Sequence, residues 1–199
     1  MLIPGRFSKT SPCLTATTRG MERARVPLES GRHLLRPAQL LTSPETQLTY
    51  RIERLLGEGG FGQVYLARRQ GRSSLVAETV CIKASPRMDG WLREAYFGQL
   101  LDRHPRAIRV FDAFPWMPME GDVLYCLALE YARHGDLRAF LRRLGKGWPE
   151  RTVRREIAGI LSVLGKLHRG QTLHRDLTPL NVFVCEGQEL KLGDFGPAP

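Results

Sequence analysis

Two aspartates and an asparagine near the carboxyl end are the residues best suited to chemistry. His174-Arg175-Asp176-Leu177-Thr178-Pro179-Leu180-Asn181 is followed, a short hairpin later, by Asp194-Phe195-Gly196. A carboxylate held beside a substrate hydroxyl can take its proton, which makes Asp176 the candidate proton acceptor. Asparagine and aspartate supply the hard oxygen ligands that magnesium prefers, which makes Asn181 and Asp194 the candidate metal pair. Neither turn is distinctive alone. Together they describe one site for a hydroxyl proton and one for a divalent cation.

Positioned side chains need elements to hold them. Tyr50 to Leu56 reads as a strand, and Gly57-Glu58-Gly59-Gly60-Phe61-Gly62-Gln63-Val64-Tyr65-Leu66-Ala67 as a glycine-rich hairpin running into a second strand. A lone G-x-G-x-x-G is weak evidence, since such turns arise for plain conformational reasons. A dinucleotide fingerprint would open a helix, whereas Gln63 to Arg68 alternates as a strand with Val64 and Leu66 on one side. Thr79-Val80-Cys81-Ile82-Lys83 is a third strand ending in a lysine. A helix is expected over about Gly90 to Leu101 with Leu92, Ala95, Tyr96 and Gln99 inward, and Glu94 as its functional candidate. Ile108 to Phe114 and Val123 to Leu129 complete five strands. Beyond Pro149, the stripe Val153, Ile157, Ile160, Leu161, Leu164 and Leu167 predicts a long core helix.

In this order, these segments resemble the protein kinase family over residues 50 to 196. Residues 174–181 resemble its catalytic loop and Asp194-Phe195-Gly196 its magnesium-binding turn. The resemblance implies an α+β, protein-kinase-like bilobal fold: a five-stranded antiparallel N-lobe sheet with one helix, and an incomplete helical C-lobe. Residues 48–132 would form the N-lobe and hinge, and 133–199 part of the C-lobe.

It further implies ATP and Mg2+ as cofactors and transfer of the γ-phosphate to a Ser/Thr hydroxyl of a protein substrate. Asp176, Lys83 and Glu94 would be catalytic, with Glu94 aiming Lys83 at the α- and β-phosphates. Asn181 and Asp194 would bind the metal. The nucleotide would lie against Leu56, Gly57, Glu58, Gly59, Gly60, Phe61, Gly62, Gln63, Val64, Cys81, Lys83, Glu130, Ala132 and Phe183. In that arrangement Val64 and Cys81 form the roof over adenine, Phe183 the floor, and Leu129-Glu130-Tyr131-Ala132 the hinge.

Three departures bear on activity. Thr178 stands where Ser/Thr kinases carry a lysine to the γ-phosphate, and neither Thr178 nor Leu180 is the arginine common in tyrosine kinases. Gly98, four residues past Glu94, replaces a bulky residue of the family's internal stack and is expected to leave a gap there. The sequence ends at Pro199, three residues after Gly196, without the later activation segment or helices, so a truncated catalytic domain is expected. The alternative is a nucleotide-binding pseudokinase or interaction fragment without phosphotransfer.

Composition bounds the remainder. The 199 residues carry a net charge of +10 with arginines throughout, which suits acidic partners but reads as a diffuse solvated surface rather than a nucleic-acid footprint. Cys13, Cys81, Cys126 and Cys185 are far apart and form no C-x-x-C pair, which fits a reducing, cytoplasmic setting. No run approaches the length of a membrane span. Residues 1–47 read as a disordered or weakly structured basic segment, with a short docking turn at Leu34-Leu35 and Leu40-Leu41.

Overall fold

The computed structural model describes residues 33–59, 62–118 and 121–195. Its centre is one antiparallel sheet built from β1 (Leu40–Thr42), β2 (Thr49–Gly59), β3 (Gly62–Gln70), β4 (Thr79–Ser85), β5 (Val110–Trp116) and β6 (Leu124–Glu130). Its strands run in the order β1-β2-β3-β4-β6-β5. Helix α1 (Met88–Leu100) lies between β4 and β5 in the chain. The helical part comprises α2 (Leu137–Leu144) and α3 (Glu150–Arg169), followed by a hairpin of β7 (Val182–Val184) and β8 (Leu190–Leu192). Among the described residues no helix is long and apolar enough to cross a membrane.

Two cores follow from these patterns. Alternation in β2, β3 and β4 buries Tyr50, Ile52, Tyr65, Ala67, Val80 and Ile82 on one sheet face, where Tyr50 stacks on Phe114 at 5.9 Å. The second core joins Phe97 and Leu101 to Phe140, Ile160, Val163, Leu167, Val184 and Leu192. Asp136 caps α2 by accepting the Ala139 amide at 2.8 Å, and Gly145 ends it in the left-handed region.

Five expectations need correction. The sheet has six strands, not five, because Leu40, Leu41 and Thr42 pair with Arg51, Tyr50 and Thr49. The ordered body therefore starts before residue 48: Leu35 and Leu41 are wholly buried, worth roughly 1.5–3 kcal/mol each. The rest of the 1–47 segment, up to Arg32, lies outside the described residues.

Helix α1 is rotated from its expected phase. Glu94, Phe97 and Gly98 face inward, while Leu92 and Tyr96 are exposed. The apolar positions chosen for the inner face left Glu94 out, although its pairing with Lys83 was expected; that ion pair stabilises its burial and is something hydropathy cannot register.

Gly98 leaves no gap. A Cβ there would overlap Val110, so β5 packs directly on the helix backbone and Phe97 occupies the interior instead. In α3, Ile160, Leu164 and Leu167 turn inward as expected, but Ile157 and Leu161 stay exposed. The helix also buries Val163 and Glu156, which the stripe did not include. The Glu156 carboxylate accepts from Arg106, from the Leu190 amide at 2.9 Å and from Arg155 at 2.7 Å, which satisfies a charge that is otherwise costly to bury.

Candidate active site

The sheet and the helical part enclose a cleft of about 550 Å³. The β2–β3 flap closes one side through Leu56, Gly57, Glu58, Gly59, Gly62 and Val64. Gly62 has φ +135°, and a Cβ there would overlap the Ala84 carbonyl of the neighbouring strand. Only glycine lets the flap lie this close to β4. Cys81 and Phe183 lie on the cleft walls with Leu129, Glu130 and Ala132. Burial pushes the Cys81 thiol up to about 12, with Cys185 nearby adding to the rise, so it is a neutral apolar wall.

At the inner end, the Lys83 ammonium donates to Glu94 Oε2 at 2.6 Å and to Asp194 Oδ1 at 2.9 Å. Strand β4 delivers the lysine, α1 the glutamate, and the turn after β8 the aspartate. Burial alone would lower the lysine's pKa, but the two carboxylates outweigh it and hold the ammonium above its ordinary value. Burial pushes Glu94 upward, with Lys83 opposing.

The loop after α3 is locked to the same turn. Asn181 Nδ2 donates to the Asp176 carbonyl at 2.8 Å and to its carboxylate at 2.9 Å. No hydrogen bond to Asn181 Oδ1 occurs among the described residues, which leaves that oxygen available to a cation. The Asn181 carbonyl accepts the Gly193 amide at 3.0 Å, one residue before Asp194. His174 Nε2–H donates to the Gly193 carbonyl at 3.1 Å, and its ring packs edge-on to Phe195 at 5.1 Å. Phe195 in turn meets Phe97 at 5.8 Å. Arg175 and Asp194 both have positive φ, 67° and 57°. Such strain in non-glycine residues gathers at functional sites.

Of the residues predicted from sequence, Leu56, Gly57, Glu58, Gly59, Gly62, Val64, Cys81, Lys83, Glu94, Glu130, Ala132, Phe183 and Asp194 line the cleft. Asp176 and Asn181 do not; they reach it through the Gly193 backbone. Gly60 and Phe61 lie outside the described residues.

Gln63 is a correction. Its side chain is only 1% exposed and does not line the cleft, because β3 alternation sends it to the same face as Tyr65. The cleft also uses Ile108, Asp136 and Leu180, which the sequence reading passed over. Ile108 was legible only as a strand residue. The Glu130 side chain faces Lys191, which donates to it at 2.7 Å, tying the hinge to β8.

The profile of the protein kinase domain matches residues 50–199. The chain belongs to this family. It is 31% identical over 187 residues to mouse serine/threonine-protein kinase SBK1, an alignment covering 93% of this chain and 44% of that protein. It is 36% identical over 151 residues to the fission-yeast serine/threonine-protein kinase ppk16, covering 74% of this chain and 21% of the relative. With zebrafish Aurora kinase B the identity is 33% over 148 residues, covering 73% and 44%. The chain thus spans less than half the length of these relatives. Kinases of this family use ATP and magnesium.

The donor set fits that chemistry. Among the described residues no three His, Cys, Asp or Glu cluster into a self-sufficient metal site. Magnesium characteristically takes one or two protein oxygens and completes its shell with phosphates and water, which suits Asn181 and Asp194.

Proposed function

We propose that this chain is the nucleotide-binding and catalytic-loop part of a Ser/Thr protein kinase that moves the γ-phosphate of ATP to a protein hydroxyl. The observation that carries the reading is Lys83 bridging Glu94 and Asp194, beside an Asn181 that orients Asp176. Asp176 takes the proton of the attacking hydroxyl as its oxygen bonds to phosphorus and the bond to the diphosphate leaving group breaks. Lys83 offers a fixed positive charge to the α- and β-phosphates. Magnesium, held by Asn181 and Asp194 when bound, would neutralise charge on the phosphates. Val64 and Cys81 enclose the adenine from the flap side and Phe183 from the other, excluding water.

The test is transfer of labelled γ-phosphate to a mixed Ser/Thr peptide pool. Asp176→Ala is expected to lower transfer by about 10²–10⁴-fold while leaving nucleotide affinity unchanged. Transfer that survives this change would overturn the assignment. Thr178, where the family's γ-phosphate lysine is missing, favours a second reading in which nucleotide binds without transfer. That reading predicts Mg-ATP binding by calorimetry and no labelled peptide even at high enzyme concentration.

A further inference from the structure

The segment before β2 is attached to the flap by a continuous set of hydrogen bonds. The Leu34 amide donates to Gln63 Oε1 at 2.8 Å, and the Leu35 amide donates to the Tyr65 hydroxyl at 3.0 Å. That hydroxyl donates to the same Gln63 oxygen. On the other side of the amide group, Gln63 Nε2 donates to Glu58 Oε2 at 3.3 Å. Glu58 is the cross-strand partner of Gln63, one pair before the flap tip, and it lines the cleft. The segment itself is firmly seated: Leu35 and Leu41 are fully buried, and Ala38 and Gln39 exchange backbone hydrogen bonds with Ile52 at 2.8 Å.

A carboxylate in a flap that covers phosphates works against binding. Opposing like charge in a cleft is unfavourable, and the penalty grows where water is excluded. The Gln63 amide holds the Glu58 carboxylate, and Leu34 and Tyr65 fix the amide's orientation by taking its oxygen. We infer that Gln63 is a positioning residue: residues 34–41 act as a strap that, through Gln63, keeps Glu58 from the phosphate path and so tunes affinity for nucleotide phosphates. The inference rests on the nucleotide reading proposed above. It goes beyond it in placing control of the flap on the face of the sheet away from the cleft.

Calorimetry on the full chain with two probes, Mg-ATP and adenosine, tests it. Gln63→Leu keeps the buried volume and removes both hydrogen-bonding ends. It should weaken Mg-ATP about tenfold and adenosine less than twofold, and the difference should vanish in a Glu58→Gln background. A purely structural role would lower both affinities together, so equal losses, or none, would overturn the inference. If the unsubstituted chain binds no Mg-ATP, the nucleotide reading falls and the inference with it. If it binds and Gln63→Leu changes nothing, only the inference falls.

Should Gln63→Leu fail to fold, the unsubstituted chain still decides the matter by reciprocity, since a strap that favours phosphate binding must be favoured by it. Exchange of the Leu34 and Leu35 amides should slow about tenfold with Mg-ATP and stay unchanged with adenosine. Exchange indifferent to Mg-ATP would overturn the strap.

Discussion

Replacing Lys83 with methionine keeps most of its apolar stem and deletes the charge between Glu94 and Asp194. The Glu94 side chain is 6% exposed, so the deletion leaves a carboxylate that water barely reaches. Breaking one side of a buried ion pair costs about 3–5 kcal/mol, and the loss at pH 7 is expected near the lower end because Asp194 is more open. The pH dependence gives the sharper test. Lys83 is raised above its ordinary value, so its contribution is complete below about 10.4 and is lost only as pH climbs through the folded value. On the lysine's account the unsubstituted chain is therefore flat between pH 5 and 7.

Lys83→Met behaves differently over that range. Burial already pushes Glu94 upward, and without the opposing ammonium it rises further and takes up a proton as pH falls. The destabilisation, read from urea unfolding, should therefore be smaller at pH 5 than at pH 7. The double change Lys83→Met with Glu94→Leu should recover about 2 kcal/mol of the loss at pH 7, since no unpaired charge stays buried. An equal loss at both pH values, together with a double variant no more stable than the single one, would refute the reasoning.

Glu156 gives the opposite pH signature. Burial would raise its pKa, but the Leu190 amide and the Arg155 and Arg106 guanidiniums outweigh it, so the folded value is lowered. Its contribution is present above about 4.3 and is lost as pH falls through the folded value, so Glu156→Gln should cost about 3 kcal/mol at pH 7 and progressively less as pH falls below about 4.3 in urea melts. Gly98→Ala should destabilise by about 1–3 kcal/mol despite alanine's helix propensity, and Val110→Ala should relieve part of that loss in a thermal melt of the double variant. Gly62→Ala should push the flap off β4 and weaken Mg-ATP at least tenfold by calorimetry, with a small change in melting temperature.

The fold was legible wherever local pattern and tertiary demand coincide. Val64 and Leu66 alternate because β3 is a real strand between β2 and β4, so the flap could be told from a helix-opening fingerprint. Lys83, inside β4, and the loop around Asp176 were legible through the resemblance of their motifs to the family, since a lysine following an apolar run reads by itself as a surface residue. What failed was interior polarity. Glu156, which the sequence reading did not single out, is buried through a partner 50 residues away, and the apolar positions chosen for the inner face of α1 left out Glu94, Phe97 and Gly98. The phase of α1 was misread, and two of the six stripe residues of α3, Ile157 and Leu161, are exposed. Gly98 was misread because the residue that fills its space, Val110, comes from another element. β1 was missed because three residues cannot show a period, and Gln63 because a glycine-rich context drew it into the nucleotide set.

The catalytic loop and the aspartate turn come from opposite sides of the β7–β8 hairpin, yet one residue holds both. Gly193 gives its amide to the Asn181 carbonyl and its own carbonyl accepts from the His174 ring, so the loop grips the turn at the Gly193 backbone. A Cβ at 193 would press within 3.0 Å of Ile108 and Phe183, so the cleft wall is built against bare backbone there. That grip explains how Arg175 and Asp194 persist in left-handed conformations costing roughly 1–3 kcal/mol each. Two buried hydrogen bonds, at about 0.5–1.5 kcal/mol net each, offset much of the strain, and burial of Phe195 between His174 and Phe97 supplies more. The strained conformations direct the Asp194 carboxylate to Lys83 and leave that of Asp176 to Asn181. The two acids thus differ in partner rather than in kind, one fixed by a cation and the other by an amide, and Asp176 is the more exposed of the two.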